Sequence, residues 1–386
     1  MYPTLSDILK DLFGINVLLP IQTFGLLLGI SFGFAAYILF LELKRKEENG
    51  LLSEIHTKET IGLPATSGEL LIAGIFGFIT GFKLLYIITE YSDFVNDTQG
   101  ILLSGTGSLP GGIAGAVLFI WIKYREKNKN KLDEPVEQQV ILKPHQLVGN
   151  ITMIAAVSGL IGAKIFHNLE NLDEFEKDPL HALVSFSGLT MYGGLICGTI
   201  AVTWYGKKFN IKPLILSDAA APALMLAYGT GRLGCQLAGD GDWGIVNLNP
   251  KPGFLSWLPD WAWAYNYPRN VVGEGIPIPG CEGRHCMMLP DAVYPTPFYE
   301  AIACILLFFV LWSYRKKITT PGMMFSIYLL LNGIERFFIE KIRVNTKYHI
   351  AGHEITQAQI ISTLLIIVGI TGIIYLRKTK QNQTVT

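Results

Sequence analysis

The chain has 386 residues, of which 50% are hydrophobic and 16% are charged, and its mean hydropathy is +0.37. Soluble domains carry about 25% charged residues, so this composition excludes an ordinary soluble protein and predicts a membrane protein. The 31 basic and 31 acidic residues cancel. Because no basic tract with interleaved aromatic residues occurs either, we expect no nucleic-acid partner.

Nine apolar stretches predict membrane-spanning helices, since a helix needs about 20 mostly apolar residues to cross the hydrocarbon core. They make the expected fold an all-α, polytopic membrane protein with a single integral membrane domain over residues 1–386. The stretches are residues 18–42, 68–90, 107–123, 149–168, 188–206, 214–238, 297–314, 321–342 and 357–376.

The segments that connect these stretches alternate in charge. On one side lie the basic segments 44–50, 123–131, 205–212, 314–320 and 376–383, and on the other lie the acidic loops 90–100 and 168–178. Cytoplasmic loops carry an excess of Lys and Arg. We therefore expect the C-terminus in the cytoplasm and the N-terminus outside.

Two connecting segments invite separate predictions. Residues 240–296 are rich in Trp, Pro, Gly and Tyr, and we expect them to pack as a lid or head on the outer, periplasmic side. Within this loop, Cys281 and Cys286 form either a disulfide or a pair of reduced thiols. Residues 124–147, on the cytoplasmic side, are interpreted as a solvated linker.

Residues 68–125 resemble residues 149–208. Each copy has a helix with a G-x-K sequence near its outer end, an acidic loop, and a second helix that opens on Gly-Gly and closes on basic residues. This repeat predicts that one helix pair duplicates the other. The alternative is a chance similarity between glycine-rich apolar helices.

Several ionisable residues are predicted to lie at one depth. Four basic residues lie about 15 to 18 residues from the cytoplasmic ends of their helices, which is roughly 23 Å at 1.5 Å per residue: Arg232, Arg336, Lys164 and Lys83. Tyr192, Tyr299 and Glu300 begin inward-running helices near the same level. Because ionisable residues inside spans are costly, this layer indicates a functional site in the outer leaflet.

Arg336, Glu340 and Arg343 are spaced i, i+4 and i+7, which predicts that they share one helix face. Arginine binds phosphate oxygens bidentately and stays charged, so a cationic cluster at this depth suits a phosphodiester headgroup. The alternative is that these side chains extend to the interface as anchors. We favour binding for Arg232 and Arg336, because an acid follows each of them within eight residues.

Five motifs resemble the prolipoprotein diacylglyceryl transferase family, in family order from about residue 150 to residue 362. The family's R-F-x-x-E-x-x-R is matched in full by residues 336–343. The family's G-R-x-G-N-x-x-N-x-E and W-G motif is similar to a segment that includes Gly231, Arg232, Gly234, Asp240 and Gly244. Its H-P-S-x-L-Y-E is similar to a segment that ends in Tyr299 and Glu300, and its H-G-G-L-I-G to one that begins with Tyr192, Gly193 and Gly194. The arginine of its G-G-R corresponds to Lys164.

The chain departs from the family at several of these positions. Tyr192 and Tyr294 stand where the family has histidines, Cys235 and Ala238 replace the signature asparagines, and the signature acid is shortened to Asp240. The family has seven spans, and the duplicated helix pair accounts for the other two. The chain is therefore interpreted as a divergent member.

The resemblance implies an enzyme of the bacterial inner membrane that moves a diacylglyceryl group from phosphatidylglycerol to the lipobox cysteine of exported prolipoproteins. Arg232 and Arg336 would bind the phosphate, and Glu340, Asp240 or Tyr192 would accept the thiol proton. For Glu340 we favour a role in orienting Arg336 or Arg343. Substrate contacts are assigned to Gly193, Gly194, Gly231, Gly234, Gly244, Tyr299, Glu300, Arg343 and Lys164.

Neither a metal-ligand spacing nor a cofactor motif is found in the sequence, and the expected partners are phosphatidylglycerol, the lipobox segment and membrane lipid. Two other functions stay open at this stage. One is a transferase with the same phospholipid donor and another acceptor. The other is a non-catalytic lipid-binding or transport protein.

Overall fold

The computed structural model describes residues 1–96, 98–184, 190–345, 347–350 and 353–385. The elements follow in the order α1 (Leu5–Phe13), α2 (Thr23–Glu48), β1 (Ile55–Ile61), α3 (Ser67–Thr89), α4 (Tyr91–Asn96), α5 (Thr98–Leu103), α6 (Leu109–Lys129), β2 (Val136–Leu142), α7 (Val148–Glu170), α8 (Leu172–Lys177), α9 (Pro179–Val184), α10 (Met191–Lys208), α11 (Pro213–Ala238), β3 (Ile276–Pro277), β4 (Met287–Met288), α12 (Thr296–Tyr314), α13 (Met323–Ile339), β5 (Lys347–Ile350), β6 (His353–Thr356) and α14 (Gln357–Val385). Short 3₁₀ helices cover Pro144–Leu147, Gly253–Leu255, Asp260–Ala262 and Glu340–Ile342.

Every predicted apolar stretch coincides with a helix, and the first two residues of the stretch 188–206 lie outside the described residues. Six helical segments are both long and apolar enough to cross a membrane: Thr23–Glu48, Ser67–Thr89, Pro144–Glu170, Pro213–Ala238, Thr296–Tyr314 and Gln357–Gln381. The protein is therefore a mostly helical, multi-pass membrane protein.

Three antiparallel strand pairs are added to the helices: β1 with β2, β3 with β4 and β5 with β6. Residues 124–147, predicted as a solvated linker, are mostly exposed but contain regular structure that the prediction lacked. Helix α6 continues to Lys129, and Val136–Leu142 pairs with Ile55–Ile61. The reason is a partner distant in sequence, which satisfies backbone groups that a linker would leave to water.

The chain divides into two compact units. One comprises Met1–Leu52, His145–Thr152 and Thr203–Thr386, and the other comprises Ser53–Pro144 and Met153–Val202. In the second unit, helices pack through glycines. A Cβ on Gly111 would lie 2.5 Å from the carbonyl oxygen of Gly81, and one on Gly193 would lie 2.5 Å from that of Gly162. Small residues allow such close approach between helices in a membrane.

In the first unit, α11 is the central helix, with most of its length buried against α2, α12 and α13. Asp218 on α11 accepts hydrogen bonds from the backbone N–H groups of Gly322 and Phe325, at 2.7 and 2.9 Å. These bonds satisfy donors at the start of α13 that have no partner within the helix. The contact therefore fixes α13 against α11.

The loop after α11 packs around its own aromatic core. Trp243, Tyr267, Leu289 and Val293 are all buried there, and the rings of Trp243 and Tyr267 lie 5.1 Å apart. The two cysteines of this loop form a disulfide, which decides between the two alternatives left by the sequence. The loop is thus an ordered part of the first unit.

Candidate functional site: an arginine cluster around a buried carboxylate

Glu300, at the start of α12, has no exposed surface and accepts contacts from four side chains. Its Oε2 lies 2.6 Å from Arg232 Nε and accepts a hydrogen bond of 2.7 Å from the Tyr228 hydroxyl. Its Oε1 lies 2.8 Å from an Arg343 nitrogen and 3.5 Å from an Arg336 nitrogen. Three arginines from two parts of the chain therefore converge on one carboxylate.

Asp242 forms a second bridge within this cluster. One of its carboxylate oxygens pairs with Arg232, and the other lies 2.5 Å from Arg343. Burial opposes the ionisation of Asp242, but these two guanidiniums outweigh it and hold the pKa of the carboxyl below its usual value. The hydroxyl of Thr296 donates to the backbone oxygen of Asp242 at 2.7 Å, which ties the loop to α12.

The backbone that carries Arg336, Glu340 and Arg343 is not one continuous α-helix, as the spacing predicted. Helix α13 ends at Ile339, a 3₁₀ turn covers Glu340–Ile342, and Arg343 has an extended backbone with φ of −89°. The side chains still meet, because the tighter turn directs Arg343 back toward Glu300. The extended backbone at Arg343 forms an isolated β-bridge with Gly244 in the loop after α11.

Glu340 is held by both of its oxygens. One lies 3.2 Å from Arg336, and the other accepts a 2.5 Å hydrogen bond from the Asn345 amide. Such a carboxylate orients the guanidinium that it contacts. The orienting role of Glu340 stays a prediction.

Gly244 allows the loop to reach the arginine-bearing turn. The N–H of its neighbour Ile245 donates to the carbonyl of Ile342 at 2.8 Å, and Gly244 itself forms an isolated β-bridge with Arg343. A Cβ at Gly244 would collide with the carbonyl oxygen of Ile342. The absence of a side chain is what permits this approach.

The other signature residues have packing positions in the structure. Gly234 contacts Phe24 and Leu27 of α2, and Gly231 faces Ser31 of the same helix. Tyr299 donates from its hydroxyl to the backbone oxygen of Ala262 at 2.9 Å, which links α12 to the loop.

Asp240 lies outside the arginine pairing and close to Cys235. The Cys235 sulfur and carboxylate oxygens of Asp240 and Asp242 lie within 4.8 Å of one another. Burial, followed by the negative charge of Asp242, raises the pKa of Asp240 above its usual value. Because two guanidiniums already occupy Asp242, the geometry favours ion pairing over metal ligation.

Lys164, Tyr192, Gly193 and Gly194 belong to the second unit. Lys164 is buried on α7, and Gly193 packs against Gly162 and Phe166 at the start of α10. The structure brings the remaining predicted residues together within the first unit.

Three residues of the cluster were missed by the sequence reasoning: Tyr228, Asp242 and Asn345. Two of them could have been found from the sequence. Asp242 directly precedes the Trp-Gly pair of a family motif, and Tyr228 lies one helical turn before Arg232 and therefore on the same helix face. Glu335 is 7% exposed, and in the described part of the chain neither of its carboxylate oxygens has a hydrogen-bond partner.

The cluster suits an anion although its charges are matched. Three guanidiniums face the carboxylates of Glu300, Asp242 and Glu340. The buried Nε of Arg343 has no hydrogen-bond partner among the described residues. Each arginine has five N–H donors, so a phosphate could accept hydrogen bonds from the same guanidiniums that already pair with the carboxylates.

Fold and site together define a multi-pass membrane protein with a cluster of arginines near the C-terminal end of its central helix, α11. Residues 132–375 match the family model described as prolipoprotein diacylglyceryl transferase. The chain belongs to this family.

Relatives named phosphatidylglycerol–prolipoprotein diacylglyceryl transferase are similar over most of their length. The Clostridium tetani protein is 28% identical over 275 residues, which is 70% of this chain and 92% of the relative. The Staphylococcus haemolyticus protein is 29% identical over 231 residues, or 59% and 72%. The Corynebacterium diphtheriae protein is 26% identical over 241 residues, or 61% and 80%.

Proposed function

We propose that the protein is a transferase that moves the diacylglyceryl group of phosphatidylglycerol to the lipobox cysteine of prolipoproteins. The observation that carries this proposal is the convergence of Arg232, Arg336 and Arg343 on Glu300 in a member of this family. The activity for which the relatives are named requires a phosphodiester donor, and the arginine cluster supplies the chemistry to bind it.

In the proposed reaction the thiolate sulfur of the acceptor cysteine attacks the glyceryl carbon of phosphatidylglycerol. A carbon–sulfur bond forms and the carbon–oxygen bond to phosphate breaks, so glycerol phosphate leaves with the electron pair. Arg232, Arg336 and Arg343 bind the phosphate and stabilise the negative charge on the leaving group. In this proposal, the glycines assigned above to substrate contacts and Tyr299 position the substrate.

The thiol proton needs an acceptor, and we assign it to Asp240. Asp242 is shared by two arginines and Glu340 by Arg336 and Asn345, so both act as positioning groups. Asp240 has a raised pKa and lies next to a thiol of the chain. A base is most effective when its pKa approaches the working pH. Tyr192 and Lys164 stay candidates for substrate contact.

The membrane arrangement that goes with this function has nine spans. The N-terminus and the loop 240–296 lie on the periplasmic side, and the C-terminus lies in the cytoplasm. The alternation of basic and acidic connecting segments supports this orientation. The membrane is the bacterial inner membrane, where exported precursors emerge.

Residues 68–125 duplicate residues 149–208 in this proposal. Two pairs of equivalent contacts within the second unit support it. Gly81 meets Gly111 as Gly162 meets Gly193. The N–H of Ser108 donates to the carbonyl of Phe82 at 2.9 Å, and the N–H of Thr190 donates to that of Ala163 at 3.1 Å.

A direct assay tests the proposed function. Purified protein is incubated in vesicles with phosphatidylglycerol labelled in its acyl chains and a lipobox peptide, and the peptide is examined by mass spectrometry. We expect a thioether-linked diacylglyceryl group on cysteine, and none on a Cys→Ser peptide. Label in another acceptor would favour a related transferase, and lipid retention without turnover would favour a non-catalytic protein.

A further inference from the structure

A cavity lies at the other end of two of the helices around the arginine cluster, α12 and α13. This cavity of about 720 Å³ lies between the end of α12, the start of α13 and the C-terminal part of α14. Its walls are formed by apolar side chains, including Leu311, Ile327 and Leu331. Ligand pockets that enclose small molecules have volumes of about 300–1,000 Å³, so this space can hold part of a lipid.

The rim of this cavity is cationic. Lys317 follows α12, and Arg377 and Lys380 lie near the end of α14, and all three side chains are exposed. Lys317 Nζ lies 5.5 Å from the centroid of the Tyr314 ring, which also lines the cavity. Among the described lining residues none is acidic. The cavity thus combines apolar walls with an anion-attracting rim.

The cavity and the proposed active site lie at different positions along α13. The lining residues of this helix run from Met323 to Leu331, which lie 13 and 5 residues before Arg336 (336 − 323 and 336 − 331). At 1.5 Å per residue, these offsets are about 20 Å and about 8 Å. The rim residues belong to the basic connecting segments, so the orientation proposed above, on which this inference rests, places the cavity rim on the cytoplasmic side and the arginine cluster on the periplasmic side.

We propose that this cavity binds an anionic phospholipid of the cytoplasmic leaflet. The headgroup phosphate lies between Lys317 and Arg377, and an acyl chain lies against Ile327 and Leu331. Charge complementarity favours a lipid with a net negative headgroup over a zwitterionic one. The apolar walls favour a whole phospholipid over free phosphate, because an acyl chain can pack against them and free phosphate has no apolar group.

The test uses the full chain in phosphatidylcholine nanodiscs that contain a photoactivatable phosphatidic acid with a diazirine in one acyl chain. After irradiation, labelled peptides are mapped by mass spectrometry. We expect label on residues 310–331 that is displaced by excess phosphatidic acid and not by phosphatidylcholine or inorganic phosphate. Equal competition by phosphatidylcholine, displacement by inorganic phosphate, or no label in this segment would overturn the proposal.

Neighbouring cations provide a matched control. The double variant Lys317→Gln/Arg377→Gln should lower labelling at least about tenfold. The control Lys316→Gln/Lys378→Gln removes two exposed charges that do not line the cavity, and it should leave labelling unchanged. An equal loss of labelling in both double variants would mean that overall positive charge, and not a defined site, attracts the lipid, and it would contradict the proposal.

Two further variants keep the test independent of folding and of the proposed function. Ile327→Trp fills the cavity without a change of charge and should also reduce labelling. Arg232→Lys alters the proposed active site and should leave the label on residues 310–331 in place. A full label in Ile327→Trp would contradict the proposed acyl-chain position.

Discussion

Arg232 and Arg336 contact opposite oxygens of a single carboxylate, although 103 residues separate them in the sequence (336 − 232 − 1). Arg232 Nε lies 2.6 Å from Glu300 Oε2, and an Arg336 nitrogen lies 3.5 Å from Oε1. Glu300 therefore holds two cations that would otherwise repel each other. This arrangement keeps both guanidiniums in place before a phosphate arrives.

Arg232→Lys and Arg336→Lys should each retain a folded protein and lose about 10²-fold or more in turnover. A lysine keeps the positive charge next to Glu300 but loses the planar set of donors that stabilises a leaving phosphate. The peptide-labelling assay measures turnover, and thermal unfolding checks the fold. Near-normal turnover in both variants would contradict the assignment of Arg232 and Arg336 to the active site.

Gly244→Ala should impair turnover because its methyl group has no room. The added Cβ would meet the carbonyl oxygen of Ile342 and lie 2.9 Å from Tyr294 and Thr296 side-chain atoms, so the turn that carries Arg343 must shift. Gly253→Ala is the matched control, since a Cβ there meets nothing within 4 Å. Equal effects of the two variants on turnover would contradict a specific role of the close approach.

Glu335→Met should raise thermal stability and leave turnover close to normal. The substitution removes a buried carboxyl whose oxygens have no hydrogen-bond partner in the described structure, and an unsatisfied buried polar group costs about 1–3 kcal/mol. Unfolding in detergent measures the stability, and the labelling assay measures turnover. A large loss of turnover would instead make Glu335 part of the reaction.

Asp240→Asn should lower turnover, because it removes the proposed proton acceptor, and should alter stability in a pH-dependent way. Because the folded pKa of Asp240 is raised, its favourable contribution is present below the unfolded pKa and is lost as pH rises through the folded pKa. The stability of Asp240→Asn relative to the natural chain should therefore increase with pH and then level off.

Asp242→Asn should show the opposite sign. The folded pKa of Asp242 is lowered, so its ion pairs stabilise the protein above the unfolded pKa and are lost as pH falls through the folded value. This variant should be less stable than the natural chain at neutral pH, and the difference should shrink in acid. Thermal unfolding of both variants between about pH 2 and pH 8 checks the two signs, because an unperturbed aspartate titrates near about 3.9 and the Asp242 effect is lost below that value.

The positions of the helices could be predicted from the sequence because each apolar stretch must satisfy its own backbone within the bilayer. The match of residues 336–343 to a family motif likewise indicated Arg336, Glu340 and Arg343. The importance of Asp242 could not be predicted. Asp240 and Asp242 both precede the Trp-Gly pair, and only the path of the loop selects the one that meets Arg232 and Arg343.

The sequence by itself determined a multi-pass helical membrane protein and the arginines that form its site, since hydrophobic length and buried charge act locally along the chain. Only the tertiary structure decided which acids pair with which arginines, that Arg343 follows a 3₁₀ turn rather than a helix, and that Cys281 and Cys286 are bonded. These features depend on segments far apart in sequence, and their electrostatic and packing energies arise only when the fold brings them together.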